Sequence, residues 1–242
     1  RAGQPHELGG NILVTGSNRG IGLELVKQLL DNTGQEDHIY ACCREPEGAG
    51  AEVLRALANQ RPEQVTIVQL DTSDEDSVTA AVQVVGERVT ASGLNLLINN
   101  AAINKPASPA LLSATSKADM MEVFETNVAG PFLLAKVAII NMSTLVSSIE
   151  KCPQNFHIVQ MYPYRTSKAA LNMLTRCLAE DFRKHSILVT GVHPGWVITD
   201  MGGKEAPMTP QQSVLGMLSM MSSLSDKDSG KLVDWMGNQI PW

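Results

Sequence analysis

The chain has 242 residues, of which 43% are hydrophobic and 18% charged, so it can bury one sizeable core, and we expect a single domain over residues 1–242. Its 19 basic and 25 acidic residues give a net charge of −6, which disfavours nucleic acid as a partner because such binders need a basic surface. No apolar run approaches the roughly 20 residues of a bilayer span, so we expect no membrane partner. The four cysteines show no CxxC spacing, which predicts reduced thiols in a cytoplasmic protein without a metal site.

Short, apolar, β-branched segments alternate with helical patterns along the chain. These segments are typical of strands that are buried on both faces. The predicted strands are Asn11–Thr15, His38–Cys43, Val65–Leu70, Leu94–Asn99, Ala138–Met142, Ile187–Val192 and Lys231–Trp235. Asp74–Val89 and Tyr164–Phe182 carry apolar residues at helical spacing. The alternation predicts an α/β, Rossmann-like fold, a doubly wound parallel sheet of about seven strands with helices on both faces.

One connection in this pattern is unusual. Ser116–Val137 is predicted as a helix, and the strand Ala138–Met142 follows it without any turn residues. Helices and strands are usually joined by about 2–6 residues, often including Gly or Pro. We therefore expect that a connecting loop is missing from the sequence near Leu134–Ala138.

The first predicted strand runs into a glycine-rich turn and then a helix. Gly16 permits a tight turn, Gly20 lets the backbone approach a pyrophosphate, and Gly22 lets the helix pack closely on the sheet. The free N–H groups and the dipole of the helix would then face the diphosphate. A plain turn is the competing interpretation. The residues predicted to bind a dinucleotide here are Gly16, Ser17, Asn18, Arg19, Gly20, Ile21 and Gly22.

The end of the second strand bears on which dinucleotide is bound. A free ribose 2′-hydroxyl is usually held by a carboxylate at this point, but here Arg44 follows the strand directly. Arg44 and Arg19 suit a 2′-phosphate through charge-assisted bonds. The sequence therefore favours NADP(H) over NAD. Glu45 weakens this prediction slightly, and both arginines could instead be solvated surface charges.

Polar residues also follow the third and fourth strands, where ligands lie in such sheets. Asp71, next to Thr72, could accept a hydrogen bond from the adenine amino group or simply cap the next helix. Asn99 and Asn100, which precede Ala101, could face the ligand or serve turn formation.

Tyr164 and Lys168 lie at positions i and i+4, on one face of a predicted helix. A free phenol has a pKa near 10, and a nearby ammonium lowers it. A decrease of about 3 units would require roughly 4 kcal/mol of preferential stabilisation of the anion. The pair could therefore act as an acid–base group, but a Tyr/Lys pair on a helix surface is common and does not by itself predict catalysis.

Taken together and in this order, the motifs resemble those of the short-chain dehydrogenase/reductase family, from about Asn11 to the C-terminus. The Tyr164 motif, Pro194-Gly-Trp-Val197 and Ile240-Pro-Trp242 are most similar to its C-factor/sniffer branch of carbonyl reductases. The resemblance rests on Thr15-Gly-Ser-Asn-Arg-Gly-Ile-Gly22, Asn99-Asn-Ala-Ala102, Glu125-Thr-Asn127-Val-Ala-Gly130, Tyr164-Arg-Thr-Ser-Lys168 and His193-Pro-Gly-Trp-Val-Ile-Thr199.

The resemblance implies an NADPH-dependent carbonyl reductase in which Tyr164 protonates an aldehyde or ketone oxygen as hydride arrives. Lys168 would lower the pKa of Tyr164 and bind the nicotinamide ribose, and Asn127 would hold a water of a proton relay. Asn100 and Ala101 would line the adenosine side. The nicotinamide would be held by Pro194, Gly195, Val197 and Thr199.

The hydroxyl that orients the carbonyl is ambiguous. The family has a serine at the end of an Asn-x-Ser-Ser motif, and this chain has Asn141-Met-Ser143-Thr144. The register of the motif places Thr144 at the catalytic position, with Ser143 as the alternative. Threonine keeps the hydroxyl but adds a methyl group that restricts χ1.

On the substrate side, Gly, Pro and Met residues between 199 and 224 predict a lid over an apolar carbonyl compound. The competing interpretation is that the later methionines form the core face of a helix. Trp196 and Tyr162 are candidates for lining the substrate pocket, whereas His193 is predicted to be structural. Residues 144–164 form a long connection that could cover the substrate or be a neutral insertion.

Two alternative functions stay open at this point. The Thr144 substitution favours an NADP-binding but catalytically weak protein with a regulatory or signalling role. An NAD-linked alcohol dehydrogenase is the third hypothesis. A homodimer is compatible with the sequence, which does not determine the oligomeric state.

Overall fold

A computed structural model of the chain describes residues 8–89, 92–107, 110–135 and 139–242. Eight strands form one sheet in the order β3-β2-β1-β4-β5-β6-β7-β8, and all neighbours are parallel except β7 and β8. The strands are β1 Asn11–Thr15, β2 His38–Cys43, β3 Val65–Gln69, β4 Leu96–Asn99, β5 Ile139–Met142, β6 Val189–His193, β7 Leu232–Asp234 and β8 Gln239–Ile240.

The predicted doubly wound parallel sheet is confirmed, and β8 is the strand that sequence reasoning missed. Two residues are too few to show a strand pattern. β1 lies between β2 and β4, so the chain crosses over on opposite sides of β1. This change of direction opens a crevice at the carboxyl ends of the strands.

Helices cover both faces of the sheet. Helix α8 begins with a capping box between Thr209 and Gln212, in which each side chain accepts from the backbone of the other residue. The helices are α1 Gly20–Asn32, α2 Glu52–Gln60, α3 Glu75–Val89, α4 Lys117–Phe124, α5 Gly130–Leu134, α6 Cys152–Asn155, α7 Tyr162–Phe182 and α8 Pro210–Ser222.

The single helix predicted over Ser116–Val137 is interrupted. Helix α4 passes through a π-helical turn, Glu125–Ala129, before α5 begins at Gly130. Pro131 lacks a backbone N–H and cannot continue the α-helical bonding pattern, which gives a physical reason for the change at this point. The loop expected to be missing near Leu134–Ala138 falls largely on residues 136–138, which lie outside the described residues.

The methionines of the predicted lid region belong to the core where they lie on α8. Met217 is fully buried, and Met220 and Met221 are also buried among the core residues on the face of the sheet that α1 covers. This agrees with the interpretation of these residues as the core face of a helix. On the opposite side of the sheet, α3 buries Val78, Ala81 and Val85, whereas Val82 is exposed.

Candidate active site at the carboxyl edge of the sheet

The crevice is a cleft of about 840 Å³ that is lined by the loops following β1 to β6 and by the start of α7. This volume lies in the range of small-molecule and cofactor sites. A cavity of about 1100 Å³ lies at the amino edge of the sheet, but its ionisable group, Asp37, is already bonded to the backbone N–H groups of Gly10 and Gly34. The smaller cleft is lined by the glycine-rich turn and by Tyr164 and Lys168, so it is the candidate site.

The glycine-rich turn lies in this cleft. Gly16 (φ +65°) and Gly20 (φ +54°) have left-handed backbones, which side chains with a Cβ disfavour. A Cβ on Gly22 would lie 2.0 Å from the carbonyl oxygen of Gly16. Arg19 precedes α1 without capping it through its side chain, so the first N–H groups of α1 have no side-chain cap from that residue. The turn thus has the geometry that close approach of a phosphate requires.

Ser17 and Asn18 take different places in this turn. The Ser17 side chain is fully buried, and its hydroxyl donates to the carbonyl oxygen of Val14 at 2.7 Å. Asn18 lines the cleft and donates from Nδ2 to the carbonyl oxygen of Gly50 at 3.3 Å. Ser17 therefore supports the turn, while Asn18 is available to a ligand.

The asparagines at the carboxyl end of β4, Asn99 and Asn100, hold the ends of neighbouring strands together. Asn100 lines the cleft, and its Nδ2 donates to the carbonyl oxygens of Thr15 and Gly16 at 3.1 and 3.2 Å. The Thr15 hydroxyl accepts from the backbone N–H groups of Asn100 and Ala101 at 3.0 and 2.9 Å. Asn99 is buried and donates to Asn141 at 2.8 Å. Asn100 thus supports the turn, as one of the two interpretations expected. Asn100 and Ala101 also line the cleft.

Besides Lys168, four basic side chains line the cleft, Arg19, Lys27, Arg44 and Lys204, together with four acidic ones, Glu24, Glu45, Asp71 and Asp200. Arg44 lies there as predicted, because Thr15 and Cys42 are register partners and the chain after β2 leaves beside the glycine turn. The Arg19 guanidinium pairs with Asp200 at 2.7 Å. Sequence reasoning missed Lys27 and Lys204. Lys27 lies seven residues after Gly20, two helical turns along the same face, which is a signal that could have found it.

Asp71 and Thr72 lie in the cleft at the end of β3. The Asp71 carboxylate accepts from the backbone N–H of Ser73 at 3.0 Å and from its hydroxyl at 2.7 Å. This arrangement is a turn that leads into α3. Thr72 is buried, and a Cβ on Gly130 would lie 2.7 Å from its side chain. Both residues have a structural role besides their position in the cleft.

Tyr164 and Lys168 come from the first turns of α7 and both line the cleft. The Lys168 Nζ lies 5.8 Å from the centre of the Tyr164 ring and donates to the carbonyl oxygen of Met142 at 2.6 Å. Burial raises the pKa of Tyr164 to about 12 and lowers the pKa of Lys168 to about 7. Burial is the cause of both shifts, and the expected lowering of the phenol pKa by Lys168 is not among the causes.

Ser143 and Thr144 differ in their surroundings. Ser143 lines the cleft beside Met142, and its hydroxyl donates to Asn172 Oδ1 at 2.6 Å. Thr144 is also buried, but it is not among the residues that line the cleft. Its hydroxyl accepts from the backbone N–H of Val146 at 3.3 Å. The structure thus brings Ser143 rather than Thr144 to the cleft surface.

Asn127 lies in the π-helical turn and is fully buried. Its side chain accepts from the backbone N–H of Ile103 at 2.9 Å and donates to the carbonyl oxygen of Ile103 at 3.0 Å. It also contacts the Ser167 hydroxyl at 3.1 Å. Asn127 therefore holds the loop after β4 against α7, one residue before Lys168.

The segment after β6 contributes to the cleft only in part. Pro194 and Thr199 line it, whereas Gly195 and Val197 do not. Gly195 has a left-handed backbone (φ +90°), and Val197 is buried and bridges to Met208. These two residues shape the loop.

Neither proposed substrate residue lines the described cleft. Trp196 is 54% exposed, and its Nε1 donates to the carbonyl oxygen of Gly202 at 2.7 Å. The Tyr162 ring packs edge-on against Phe156 at 5.6 Å. His193 Nδ1 is buried without a partner, and burial lowers the pKa of His193 to about 4. A neutral imidazole at physiological pH fits the structural role expected for His193.

Within the described ranges, no group of three or more His, Cys, Asp or Glu residues could hold a metal ion. No helix of this described part is long and apolar enough to cross a membrane. All four cysteines are free.

Several known proteins are similar to this chain, both in amino-acid sequence and in fold. The NADPH bound carbonyl reductase from chicken fatty liver is 42% identical, and the match covers 96% of this chain and 98% of that one with a TM-score of 0.89. The carbonyl reductase Sniffer of D. melanogaster is 33% identical over 96% and 99% of the two chains, with a TM-score of 0.87. The short-chain dehydrogenase anuI of Penicillium roqueforti is 30% identical over 92% of this chain and 93% of its own.

A family model described as short chain dehydrogenase matches residues 10–210. The match includes the glycine-rich turn, Tyr164 and Lys168. It thus covers most of the chain, and the resemblance deduced from the motifs is confirmed. The chain belongs to the short chain dehydrogenase family of oxidoreductases.

Proposed function

We propose that this protein is an NADPH-dependent carbonyl reductase that reduces an aldehyde or ketone, with Tyr164 as the proton donor. The observation that carries the proposal is that Tyr164, Lys168 and Ser143 line the same cleft as the glycine turn and four basic side chains. The 42% identity to a carbonyl reductase with bound NADPH supports it. Four free thiols favour a reducing compartment such as the cytoplasm.

The residues of the cleft fit NADP(H). Gly16 and Gly20 leave room for a diphosphate at the start of α1, where backbone N–H groups favour an anion. Arg44, Lys27 and Lys204 bring positive charge into a cleft that carboxylates also line, and such cationic side chains suit a 2′-phosphate. When bound, NADPH supplies the hydride.

The chain itself supplies the proton and the orientation of the carbonyl group. Because the pKa of Tyr164 is raised to about 12, its phenol is protonated at neutral pH, which is the form that reduction needs. Lys168, with a pKa lowered to about 7, can hold or release a proton near physiological pH. We assign the orientation of the carbonyl to the Ser143 hydroxyl, with Thr144 as the alternative.

The direct test is steady-state NADPH oxidation with a panel of aldehydes, diketones and quinones, repeated with NADH. We expect turnover that depends on both enzyme and carbonyl compound, with higher kcat/KM for NADPH than for NADH. Heat-inactivated protein is the control. If no compound supports turnover while NADPH binds tightly, the reductase proposal is wrong.

A second candidate function is an NADP-binding protein with weak catalysis and a regulatory role. This alternative rests on Thr144, rather than Ser143, standing at the serine position of the family, because the Thr144 hydroxyl accepts from Val146 N and does not line the cleft. In that case wild type and Tyr164→Phe would be equally inactive although both bind NADPH.

Cofactor preference can be tested at Arg44. Arg44→Ala should weaken NADPH binding about 10- to 100-fold and leave NADH binding unchanged, because one charge-assisted bond to the 2′-phosphate is lost. Fluorescence titration with each cofactor measures both affinities. Arg183→Ala, an exposed arginine just after α7 that pairs with Glu180, is the matched control. Unchanged NADPH affinity in Arg44→Ala would contradict this role and favour an NAD-linked alcohol dehydrogenase.

A further inference from the structure

The chain that follows β2 turns back beside the cleft before α2 begins. Arg44 comes directly after β2, and Arg44, Glu45 and Gly50 line the cleft. Residues 45–48 form a tight turn, in which the backbone N–H of Gly48 donates to the carbonyl oxygen of Glu45 at 3.1 Å. Proline at the second position and glycine at the fourth favour such a turn. The 45–48 turn therefore begins at the cleft surface, next to the arginine that we expect to bind the 2′-phosphate.

The same turn carries an acidic side chain. A Cβ on Gly48 would lie 3.2 Å from Glu45 Oε2, so the Glu45 carboxylate is folded against this glycine. A guanidinium attracts a phosphate and a carboxylate repels it, with energies that depend on the distances between the charges. The conformation of the 45–48 turn therefore determines the balance between Arg44 and Glu45 at a 2′-phosphate.

Arg55, near the start of α2, binds this turn through a single nitrogen. Arg55 is partly buried, and its Nη1 donates to the carbonyl oxygen of Pro46 at 2.6 Å and to that of Gly48 at 2.7 Å. Hydrogen bonds from an ionised donor are shorter and stronger than those between neutral groups. Since both acceptors are backbone atoms of the 45–48 turn, Arg55 fixes the turn to α2.

The flanks of the turn are held by weaker contacts. Gln69 Nε2, at the end of β3, donates to the carbonyl oxygen of Arg44 at 3.2 Å, and Asn18 Nδ2 donates to that of Gly50 at 3.3 Å. Both donors are neutral amides, and both distances are longer than those of the Arg55 bonds. Of these three side chains, Arg55 therefore makes the strongest contact with residues 44–50.

The charge of Arg55 also acts at the end of β2. Burial raises the pKa of the Cys43 thiol, and the positive charge of Arg55 opposes this shift. Because Cys43 lines the cleft, electrostatic attraction between Arg55 and a 2′-phosphate is a second explanation for an effect of this residue on NADPH. Salt separates the two explanations, since a charge effect over a long distance is screened by ions and a hydrogen bond within the protein is screened much less.

We propose that Arg55 is a positioning residue for cofactor specificity, which holds the 45–48 turn so that Arg44 faces the 2′-phosphate of NADPH while Glu45 stays folded against Gly48. This inference rests on the proposed NADPH site. Loss of Arg55 should therefore weaken the binding of NADPH, which carries the 2′-phosphate, and should not weaken the binding of NADH, which lacks it. General destabilisation of the cleft would weaken the binding of both cofactors alike.

The test compares Arg55→Met, which keeps the apolar stem but has no donor, with Arg55→Lys. A lysine can replace this arginine because one nitrogen makes both bonds, and an ammonium has three donors. Arg61→Met is the control, since Arg61 directly follows α2, is exposed, donates to Gln64 Oε1 at 3.2 Å and does not line the cleft. Fluorescence titrations with NADPH and with NADH are made at about 0.05 M and about 0.5 M NaCl. Hydrogen exchange is measured at the amides of Gly48 and Ala51, which both donate within this segment.

For Arg55→Met we expect the dissociation constant of NADPH to rise about five- to tenfold at both salt concentrations, because two charged hydrogen bonds that hold the turn are lost. The dissociation constant of NADH should change less than about twofold. Exchange of the Gly48 and Ala51 amides should accelerate at least about fivefold. Arg55→Lys should recover most of the NADPH affinity, and Arg61→Met should behave as wild type in all of these measurements.

Arg55→Gln, which shortens the side chain but keeps an amide donor, serves if Arg55→Met does not fold, and it should weaken NADPH binding about threefold. Unchanged NADPH affinity in a folded variant, or equal weakening of NADPH and NADH binding, would overturn the proposal. A loss of NADPH affinity that disappears at high salt without faster exchange would also overturn it, because Arg55 would then act only through its charge. Wild-type protein that binds NADPH no more tightly than NADH would instead refute the proposed NADPH site, while exchange of the Gly48 and Ala51 amides would still decide whether Arg55 holds the turn.

Discussion

Tyr164→Phe is expected to lower kcat for carbonyl reduction by about a thousandfold, which is within the range for loss of a general acid. The substitution removes one hydroxyl and retains the ring, so it takes away the proton donor without opening a cavity. NADPH affinity should be unchanged, because the predicted phosphate contacts come from the glycine turn and the basic side chains. Stopped-flow measurement of hydride transfer, with a separate NADPH titration, distinguishes these two effects.

The raised pKa of Tyr164 adds a prediction about pH to this experiment. With a pKa of about 12, the phenol stays protonated from pH 6 to pH 9, so ionisation of Tyr164 should not reduce the wild-type rate over that range. Tyr40→Phe is the matched control, because Tyr40 is buried in the sheet and does not line the cleft. A Tyr164→Phe protein with more than a tenth of wild-type activity would contradict the assignment of Tyr164 as proton donor.

Gly22→Ala should be the most damaging single-methyl change in the glycine-rich turn. The added Cβ would lie 2.0 Å from the carbonyl oxygen of Gly16 and 2.6 Å from Asn100 Nδ2. Since the first contact is with backbone, the turn or the helix must shift, at a cost of about 3 kcal/mol. For a chain of this size we expect a decrease in Tm of roughly 6–12 °C, measured by calorimetry, and at least about tenfold weaker NADPH binding.

Gly86→Ala gives the opposite result for the same chemical change. Gly86 lies in the last turn of α3, and a Cβ there would meet nothing within 4 Å. Alanine has the higher helix propensity, so stability should increase by about 0.5–1 kcal/mol with no effect on NADPH binding. A Gly22→Ala protein as stable as wild type, or one that binds NADPH equally well, would show that the turn can relax and would contradict the steric argument.

Local sequence patterns predicted β1 and β2 with the bounds that the structure has. Each is a short apolar run beside a turn, and an apolar run buried on both faces needs no distant information to be recognised. The break between α4 and α5 was not predicted, because Glu125–Ala129 continues a helical pattern and only its bonding changes to that of a π-helix. The strand β8 depends on pairing with β7, which its two residues do not reveal.

For the candidate site, the sequence located Gly16, Arg44, Tyr164 and Lys168, because each stands at a strand end or on a helix face within a recognisable motif. It did not indicate that Asp200 pairs with Arg19, 181 positions away, or that Ser143 rather than Thr144 lines the cleft.

The amino-acid sequence by itself therefore determined the order of strands and helices, the glycine turn and the placement of Tyr164 and Lys168 on one helix face, since these depend on neighbours along the chain. Only the tertiary structure decided the pKa shifts of Tyr164 and Lys168 and the contacts of Arg55. Burial and the orientation of side chains result from the packing of segments that are far apart in the sequence.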